Sequence, residues 1–160
     1  MKNKETVLPA PVLIVEDEAM IRSRLDLILS ELGYSQDMLI FAKNLAEAMQ
    51  IIASQPISLA LVDLGLPDGN GITLIEKLRE IDESALILVI SAWSTQQSLF
   101  ASIKAGANGY VLKERDDAEV LMSIRSILRG GAPIDPFIAR EILNQISNVV
   151  PLIRPLNSVL

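Results

Sequence analysis

Cysteine and histidine, two residue types with reactive side chains, are both absent from the 160-residue chain. Without cysteine there is no disulfide, no thiolate nucleophile and no cysteine-ligated zinc or iron–sulfur site. Without histidine, Ser-His-Asp hydrolysis, imidazole acid–base catalysis and histidine-ligated zinc are excluded. Any metal must therefore be held by oxygen atoms, which favours magnesium, manganese or calcium.

Basic side chains and long apolar runs are also scarce. Fourteen Lys and Arg stand against twenty Asp and Glu, so the formal net charge is −6 and the pI is near 4.7. A module that binds duplex DNA usually carries a basic face, so we expect this chain alone not to bind DNA. The longest apolar run, Ala85–Ile90, is too short to span a bilayer, and the N-terminus lacks the apolar core of a signal peptide. These features predict a cytoplasmic protein without membrane attachment.

Apolar residues make up 50% of the chain and follow two alternating patterns. Short apolar runs without polar alternation predict strands that are buried on both faces. These runs are Val12–Val15, Met38–Ala42, Leu59–Val62, Leu86–Ile90 and Tyr110–Leu112. The segments between them have the spacing of amphipathic helices. Five strands alternating with five helices predict an α/β fold with a doubly wound parallel sheet and right-handed crossovers.

The predicted helices have recognisable starts and ends. Gly33 marks the end of the first helix, and Asn44 caps the start of the second. The next three are predicted over residues 72–79, 99–103 and 120–128. A sixth helix is predicted to begin at Pro136 with Asp135 as its N-cap. The last residues, 149–160, contain two prolines and no helical period, which predicts a non-helical tail.

Polar residues interrupt the apolar pattern at the carboxyl ends of the predicted strands. They are Glu16 and Asp17 after the first strand, Asp63 after the third, Ser91 after the fourth and Lys113 after the fifth. In an open parallel sheet, ligands bind beyond these ends, at the point where the strand order reverses. With the order 2-1-3-4-5, that point lies between the first and third strands. We therefore expect Glu16, Asp17 and Asp63 to share one crevice.

This set of residues favours phosphoryl transfer. Three carboxylates repel one another in a small site, and Mg²⁺ (or Mn²⁺) is the natural partner because it takes carboxylate oxygens and keeps waters. Lys113 supplies a positive charge and Ser91 a hydroxyl for phosphate oxygens. The nucleophile would have to be a carboxylate. Each residue alone has an ordinary structural explanation, so the prediction depends on the joint pattern.

At residues 11–130 the chain resembles the receiver domain of two-component response regulators, most closely those of LuxR/NarL-type DNA-binding regulators. The resemblance lies in the segments VLIVEDE, LALVDLGLPDGNGI, ISAWS and GYVLK. It implies a flavodoxin-like (CheY-like) five-stranded sheet of order 2-1-3-4-5, with five helices and a C-terminal linker helix. It also implies a signalling domain, not an enzyme beyond self-phosphorylation from small donors and self-dephosphorylation.

The resemblance implies a role for each residue that matches the family's motifs. A sensor histidine kinase would donate a phosphoryl group from its phosphohistidine to Asp63. Asp17, Asp63 and the backbone carbonyl of Gly65 would bind the metal directly, and Glu16 would bind it through water. Lys113, Ser91 and Tyr110 would be the lysine, the switch hydroxyl and the switch aromatic residue. Three positions depart from the pattern: Ser91 replaces the commoner threonine, Gly65 has no side chain, and Glu114 replaces a common proline.

The resemblance also suggests how the chain is organised. We expect an N-terminal extension at 1–10, the receiver at 11–130, and a linker helix with a tail at 131–160. Output would be transcription through a LuxR-type helix-turn-helix domain that this chain lacks. The alternative is a stand-alone single-domain regulator that acts by protein–protein contact. By resemblance, a homodimer would use the fourth and fifth helices with Tyr110.

Three other functions fit less well. A haloacid-dehalogenase-type hydrolase also uses an aspartate nucleophile and Mg²⁺, but resemblance to it requires a second aspartate where this chain has Gly65. A nucleotide-binding module needs a glycine-rich loop after the first strand, where the sequence is EDEAMIRSR. An unphosphorylated pseudo-receiver would be expected to lose Asp63 or Lys113, and both are present.

Overall fold

Five apolar strands pair in parallel to form the central sheet of the computed structural model, which describes residues 7–158 and side chains as far as Ser147. The strands are β1 (Val12–Val15), β2 (Leu39–Ala42), β3 (Leu59–Val62), β4 (Leu86–Ser91) and β5 (Gly109–Leu112). Their order is β2-β1-β3-β4-β5, which confirms the predicted α/β topology. Strands β1 and β3 lie in the interior of the sheet and are fully buried. Because they pair in parallel, their carboxyl ends lie side by side.

Six helices connect and cover the strands. They are α1 (Ala19–Glu31), α2 (Leu45–Ser54), α3 (Gly71–Ile81), α4 (Gln96–Ala105), α5 (Asp117–Leu128) and α6 (Pro136–Ser158). Alternate strand residues point to opposite faces, so the sheet has two apolar cores. Leu13 and Val15 belong to the core under α2, α3 and α4, and Val12 and Ile14 belong to the core under α1 and α5.

Some element bounds differ from the predicted ones. Met38 is not in β2, because residues Gln36–Met38 form a short 3-10 turn before the strand. Helix α4 is longer than predicted: it begins after Thr95, whose hydroxyl accepts a hydrogen bond from the Ser98 N–H and caps the helix. A short antiparallel hairpin, Gly65–Leu66 with Gly69–Asn70, follows β3.

The prediction of a non-helical tail from residue 149 is wrong for the described residues. Helix α6 begins at Pro136, as predicted, but continues to Ser158 through both prolines. An interior proline removes one backbone donor and its ring crowds the carbonyl four residues earlier, which is why the sequence predicted the helix to stop before them. Residues 1–6 of the expected extension, and 159–160 of the tail, lie outside the described residues. Within residues 7–158, no helix has both the length and the apolar character needed to cross a membrane.

The segment between α5 and α6 returns to the edge of the sheet. Ile134 forms a parallel bridge with Tyr110 of β5, so this segment lies alongside the outermost strand. Helix α6 then packs against the same core as α4: Ile138 is fully buried there, and Ile142 contacts that core. The linker is thus part of the folded unit and not a detached arm.

Candidate functional site

Three acidic residues meet at the carboxyl ends of β1 and β3. The backbone pairing extends one residue past each strand, because the Glu16 N–H donates to the Ala42 carbonyl and the Asp63 N–H donates to the Val15 carbonyl, both at 3.0 Å. One carboxylate oxygen from each of Glu16, Asp17 and Asp63 lies within 4.8 Å of the others. Glu16 and Asp63 are buried, and Asp17 is exposed. The expected convergence of these three residues is present in the structure.

Lys113 extends into this cluster from the end of β5. Its backbone N–H donates to the Ser91 carbonyl at 2.9 Å, which continues the β4–β5 pairing. Its ammonium nitrogen lies 3.0 Å from Asp63 Oδ2 and 3.0 Å from Glu16 Oε1. Glu18 is a more distant partner, with Oε1 at 3.6 Å. Lys113 therefore links the end of the edge strand β5 to the acidic crevice through its ion pairs with Glu16 and Asp63.

The charges in this crevice are not balanced. Burial raises the pKa of Glu16 to about 7, against the lowering effects of the Glu18 N–H and the Lys113 ammonium. Burial likewise raises the pKa of Asp63, although its hydrogen bond from Lys113 opposes the change. Burial lowers the pKa of Lys113, but its hydrogen bonds to Glu16 and Asp63 outweigh burial and hold that pKa above the usual lysine value. One ammonium faces several carboxylates, so the site favours a further cation.

The absence of a side chain at Gly71 lets the backbone of Asp63 pack against the start of α3. A Cβ atom at residue 71 would lie 2.4 Å from the Asp63 carbonyl oxygen, a distance that no side chain tolerates. The Gly71 N–H donates to the Leu64 carbonyl at 2.8 Å, so the start of α3 lies directly against the end of β3. Gly65 also orients the acid, since its N–H donates to Asp63 Oδ1 at 3.3 Å.

A second group of residues surrounds the loop after β4. Ser91 is fully buried, and its Oγ accepts a hydrogen bond from the Trp93 N–H at 3.1 Å. The hydroxyl of Tyr110 donates to the Trp93 carbonyl at 2.6 Å. The Trp93 ring lies beside Gly65, 3.3 Å from where a Cβ of that residue would be. The backbone of this loop is thus held at Trp93 by Ser91 and Tyr110, next to the acidic crevice.

The structure assembles the predicted site residues in two connected groups. Among the described residues, Ser91 and Tyr110 bond to Trp93 and make no direct hydrogen bond to the carboxylates. Tyr110 is 0% exposed, and burial raises its pKa. The peptide bond between Lys113 and Glu114 is trans.

Sequence reasoning missed the residues that hold the backbone around Lys113. Arg24 of α1 donates from Nη1 to the Lys113 carbonyl at 2.8 Å, and it also bonds to the Arg115 carbonyl and to Asp117. Asp135, predicted only as a helix cap, accepts hydrogen bonds from the guanidinium of Arg115. No spacing rule in a single sequence links these distant positions, so nothing signalled their contact.

Comparison with known proteins gives the same fold. The family model of the response regulator receiver domain matches residues 12–125. The Fimbriae Z protein of Salmonella typhimurium is 29% identical over 140 residues, covering 88% of this chain and 64% of that protein. The transcriptional regulatory protein PhoP of Escherichia coli K12 is 35% identical over 118 residues, covering 74% of this chain and 52% of that protein.

Solved structures agree with these matches. A two-component response regulator of the LuxR family from Aurantimonas sp. SI85-9A1 superposes with a TM-score of 0.72 at 27% identity, covering 87% of this chain and 99% of that chain. A CheY-like receiver domain protein from Methanospirillum hungatei superposes with a TM-score of 0.68 at 27% identity, covering 74% of this chain and 93% of that chain. The chain spans about half to two thirds of the length of the curated relatives named above.

Proposed function

Because this chain belongs to the response regulator receiver family, we propose that Asp63 accepts a phosphoryl group from the phosphohistidine of a sensor histidine kinase. The observation that carries this proposal is the buried Asp63 carboxylate, which lies beside Glu16 and Asp17 and 3.0 Å from the Lys113 ammonium. A carboxylate can act as the nucleophile in phosphoryl transfer, and this chain has no cysteine or histidine to do so instead.

In this transfer, an Asp63 carboxylate oxygen attacks the phosphorus atom of the donor. A phosphorus–oxygen bond forms and the phosphorus–nitrogen bond breaks, and the departing imidazole nitrogen keeps the electron pair. The Lys113 ammonium can pair with a phosphoryl oxygen, because it already contacts Asp63. The Ser91 oxygen accepts the Trp93 N–H, and its hydroxyl group can donate to a second phosphoryl oxygen.

The oxygen donors of the crevice fit Mg²⁺ (or Mn²⁺). Asp17, Asp63 and the Gly65 carbonyl would hold the ion directly, and Glu16 would hold it through water. The bound ion would neutralise negative charge on the phosphoryl oxygens. The excess of carboxylates over ammonium groups, with the raised pKa of Glu16 and Asp63, supports this assignment.

Phosphorylation would then change the loop that Ser91 and Tyr110 hold, and through it an output. We assign that output to transcription in the cytoplasm, by a LuxR-type helix-turn-helix domain C-terminal to residue 160. The relatives described as a transcriptional regulatory protein and as a LuxR-family regulator support this choice. The alternative is a stand-alone regulator that acts by protein–protein contact, with a homodimer as one form of that contact.

Phosphoramidate, a small donor with a phosphorus–nitrogen bond, tests the acceptor. We expect one phosphoryl group on the wild-type chain with Mg²⁺, measured by intact mass, and none on Asp63→Asn. Asp68→Asn is the matched control, because Asp68 follows the same strand but is exposed and bonds to the Leu45 and Ala46 N–H groups. Equal uptake by wild type and Asp63→Asn would refute the assignment.

The proposed output makes a further demand on this chain. Its net charge of −6 gives no basic face for duplex DNA, so residues 1–160 alone should not bind promoter DNA selectively. A gel-shift assay at low salt measures this, with the phosphorylated and unphosphorylated chains compared. Sequence-selective binding in either state would place DNA recognition within this chain and contradict the proposal.

A further inference from the structure

The segment before α6 forms an isolated parallel β-bridge with the edge strand β5, between Ile134 and Tyr110. The Tyr110 N–H donates to the Pro133 carbonyl at 2.9 Å, and the Asp135 N–H donates to the Tyr110 carbonyl at 2.8 Å. Gly109 makes this approach possible, because a Cβ there would lie 2.8 Å from the Pro133 carbonyl oxygen. Both backbone groups of Tyr110 are therefore bonded to the linker.

The carboxylate of Asp135 holds three separate pieces of chain together. It is completely buried and accepts hydrogen bonds from the Leu112 N–H at 3.1 Å and the Phe137 N–H at 3.1 Å. It also accepts two hydrogen bonds from Arg115, from Nε at 2.8 Å and from Nη2 at 2.6 Å. The end of β5, the loop after it and the first turn of α6 are thus held by one side chain.

Two of the residues that donate hydrogen bonds to Asp135, Leu112 and Arg115, are close to Lys113 in sequence. Leu112 directly precedes the lysine, and Arg115 follows two residues later. Between them, the Lys113 N–H bonds to Ser91 and the Lys113 carbonyl accepts from Arg24. The backbone from which the ammonium reaches Asp63 is therefore supported on one side by the linker.

Tyr110 joins the linker to the loop beside the crevice. Its hydroxyl bonds to the carbonyl of Trp93, whose N–H is bound by Ser91. Its backbone bonds to Pro133 and Asp135. A change in the Ser91 hydrogen bond thus reaches the linker through two residues, Trp93 and Tyr110.

From these contacts we propose that Asp135 is a positioning residue for the phosphorylation site and couples the placement of α6 to the state of Asp63. The inference rests on the proposed phosphorylation of Asp63. It assigns a role to a residue outside the part of the chain that matches the family model. Coupling between two sites is reciprocal at equilibrium, so if the placement of α6 affects occupancy at Asp63, occupancy at Asp63 must affect the placement of α6.

The first test measures phosphorylation of the full chain by acetyl phosphate, as intact mass against time at several donor concentrations. Asp135→Ala should lower the rate at saturating donor about tenfold, since small displacements of a positioned group have effects of this size or larger. The donor concentration at half-maximal rate should change little, because Asp135 does not touch the donor. Asp135→Asn keeps an acceptor oxygen for the Leu112 N–H and should restore part of the rate.

Asp116→Ala is the matched control. Asp116 is also an aspartate at a helix N-cap, in a capping box with Glu119, but it is exposed, and its side chain makes no hydrogen bond to the linker among the described residues. Removing the Asp116 carboxylate weakens α5 without loosening residues 133–137. The phosphorylation rate of Asp116→Ala should therefore stay within about twofold of the wild-type rate. If Asp135→Ala does not fold by circular dichroism, Arg115→Gln breaks the same ion pair and should slow the reaction in the same way.

The second test measures amide hydrogen exchange of residues 130–147 with and without Mg²⁺ and beryllofluoride. Exchange at the N–H groups of residues 134, 135 and 137 should respond to beryllofluoride in wild type and in Asp116→Ala, and should be insensitive to it in Asp135→Ala. A purely structural role would leave the beryllofluoride effect in place. If wild type is phosphorylated but the Asp135 and Arg115 variants show the same rates and the same exchange as wild type, this inference is wrong and the proposed function still stands. Absence of phosphorylation in wild type would overturn the proposed function as well.

Discussion

Asp63 and Asp135 are two aspartates with almost the same burial, 4% and 1% exposed, and opposite charge environments. Asp63 shares one ammonium with Glu16 and lies beside exposed Asp17. Its pKa is raised by burial. Burial opposes ionisation of Asp135 too, but hydrogen bonds from Arg115 and two backbone N–H groups outweigh it and lower the pKa of Asp135.

This difference separates a chemically available carboxylate from a structural one. A buried carboxylate costs free energy unless it is paired and hydrogen-bonded, and Asp135 is both. Asp63 is only partly compensated, so a metal ion or a phosphoryl group can take up interactions that the protein leaves unmade. The degree of burial does not distinguish the two aspartates. What distinguishes them is the number of cationic groups and hydrogen-bond donors that surround each carboxylate.

The largest difference between the two sites should appear in stability. Asp135→Ala leaves the Leu112 N–H unpaired and a partly buried guanidinium without its partner, and should cost about 3 kcal/mol of unfolding free energy. Asp63→Asn removes a poorly compensated charge, and Lys113 keeps its ion pair with Glu16. The free energy of unfolding should therefore change by no more than about 1 kcal/mol. Urea unfolding followed by circular dichroism measures both. Equal losses would remove the distinction between the two aspartates.

Metal binding should separate the sites next. Asp17→Asn removes the proposed direct ligand and should weaken Mg²⁺ binding about 100-fold, whereas Glu16→Gln, which acts through water, should weaken it about tenfold. Asp135→Asn should bind Mg²⁺ as wild type does, because that carboxylate is already paired with Arg115. Isothermal titration measures all three. Equal, small losses in Asp17→Asn and Glu16→Gln would contradict the proposed ligand arrangement.

Acid should weaken the linker contact. The pKa of Asp135 lies below the ordinary value of 3.8 in the folded chain, so its ionised form contributes stability that is fully present above that value. The contribution is lost as the pH falls through the lower, folded pKa. The stability difference between wild type and Asp135→Asn should therefore be constant from about pH 7 to pH 5 and shrink towards about pH 2. A difference that stays constant in acid would contradict the ion pair.

The smallest expected effect is optical. Trp93 is 41% exposed, its ring lies beside Gly65, and its backbone bonds to Ser91 and Tyr110. Its emission should shift when Mg²⁺ and beryllofluoride bind, and Asp63→Asn should abolish the shift while Asp135→Asn keeps it. An unchanged spectrum, with binding shown by titration, would mean that this loop does not respond to the site.

Much of the fold and of the site's composition could be predicted from the sequence. The five strands are short apolar runs, four of them rich in Val, Ile and Leu, and Glu16, Asp63 and Lys113 follow the buried ends of β1, β3 and β5. Strand periodicity and the rule about strand ends are local signals, so they bring these residues to the same edge of the sheet without knowledge of the contacts. The structure has them there.

The remainder depended on contacts between residues far apart in the chain. Asp135 carried a clear helix-cap signal, and it does accept the Phe137 N–H, but its bonds to Leu112 and Arg115 come from folding the linker onto β5. The end of α6 was missed for a different reason. Proline is a strong local signal against helix, and the helix nevertheless continues past Pro151 and Pro155.

The most direct test of the central claim identifies which carboxylate carries the phosphoryl group. Borohydride reduces an aspartyl phosphate to homoserine, so the chain is treated with acetyl phosphate and Mg²⁺, reduced, digested and analysed by peptide mass spectrometry. We predict homoserine at residue 63 alone, with Asp17 and Asp135 unmodified. Homoserine at either of those two positions, or a phosphorylated chain with residue 63 still aspartate, would contradict the account.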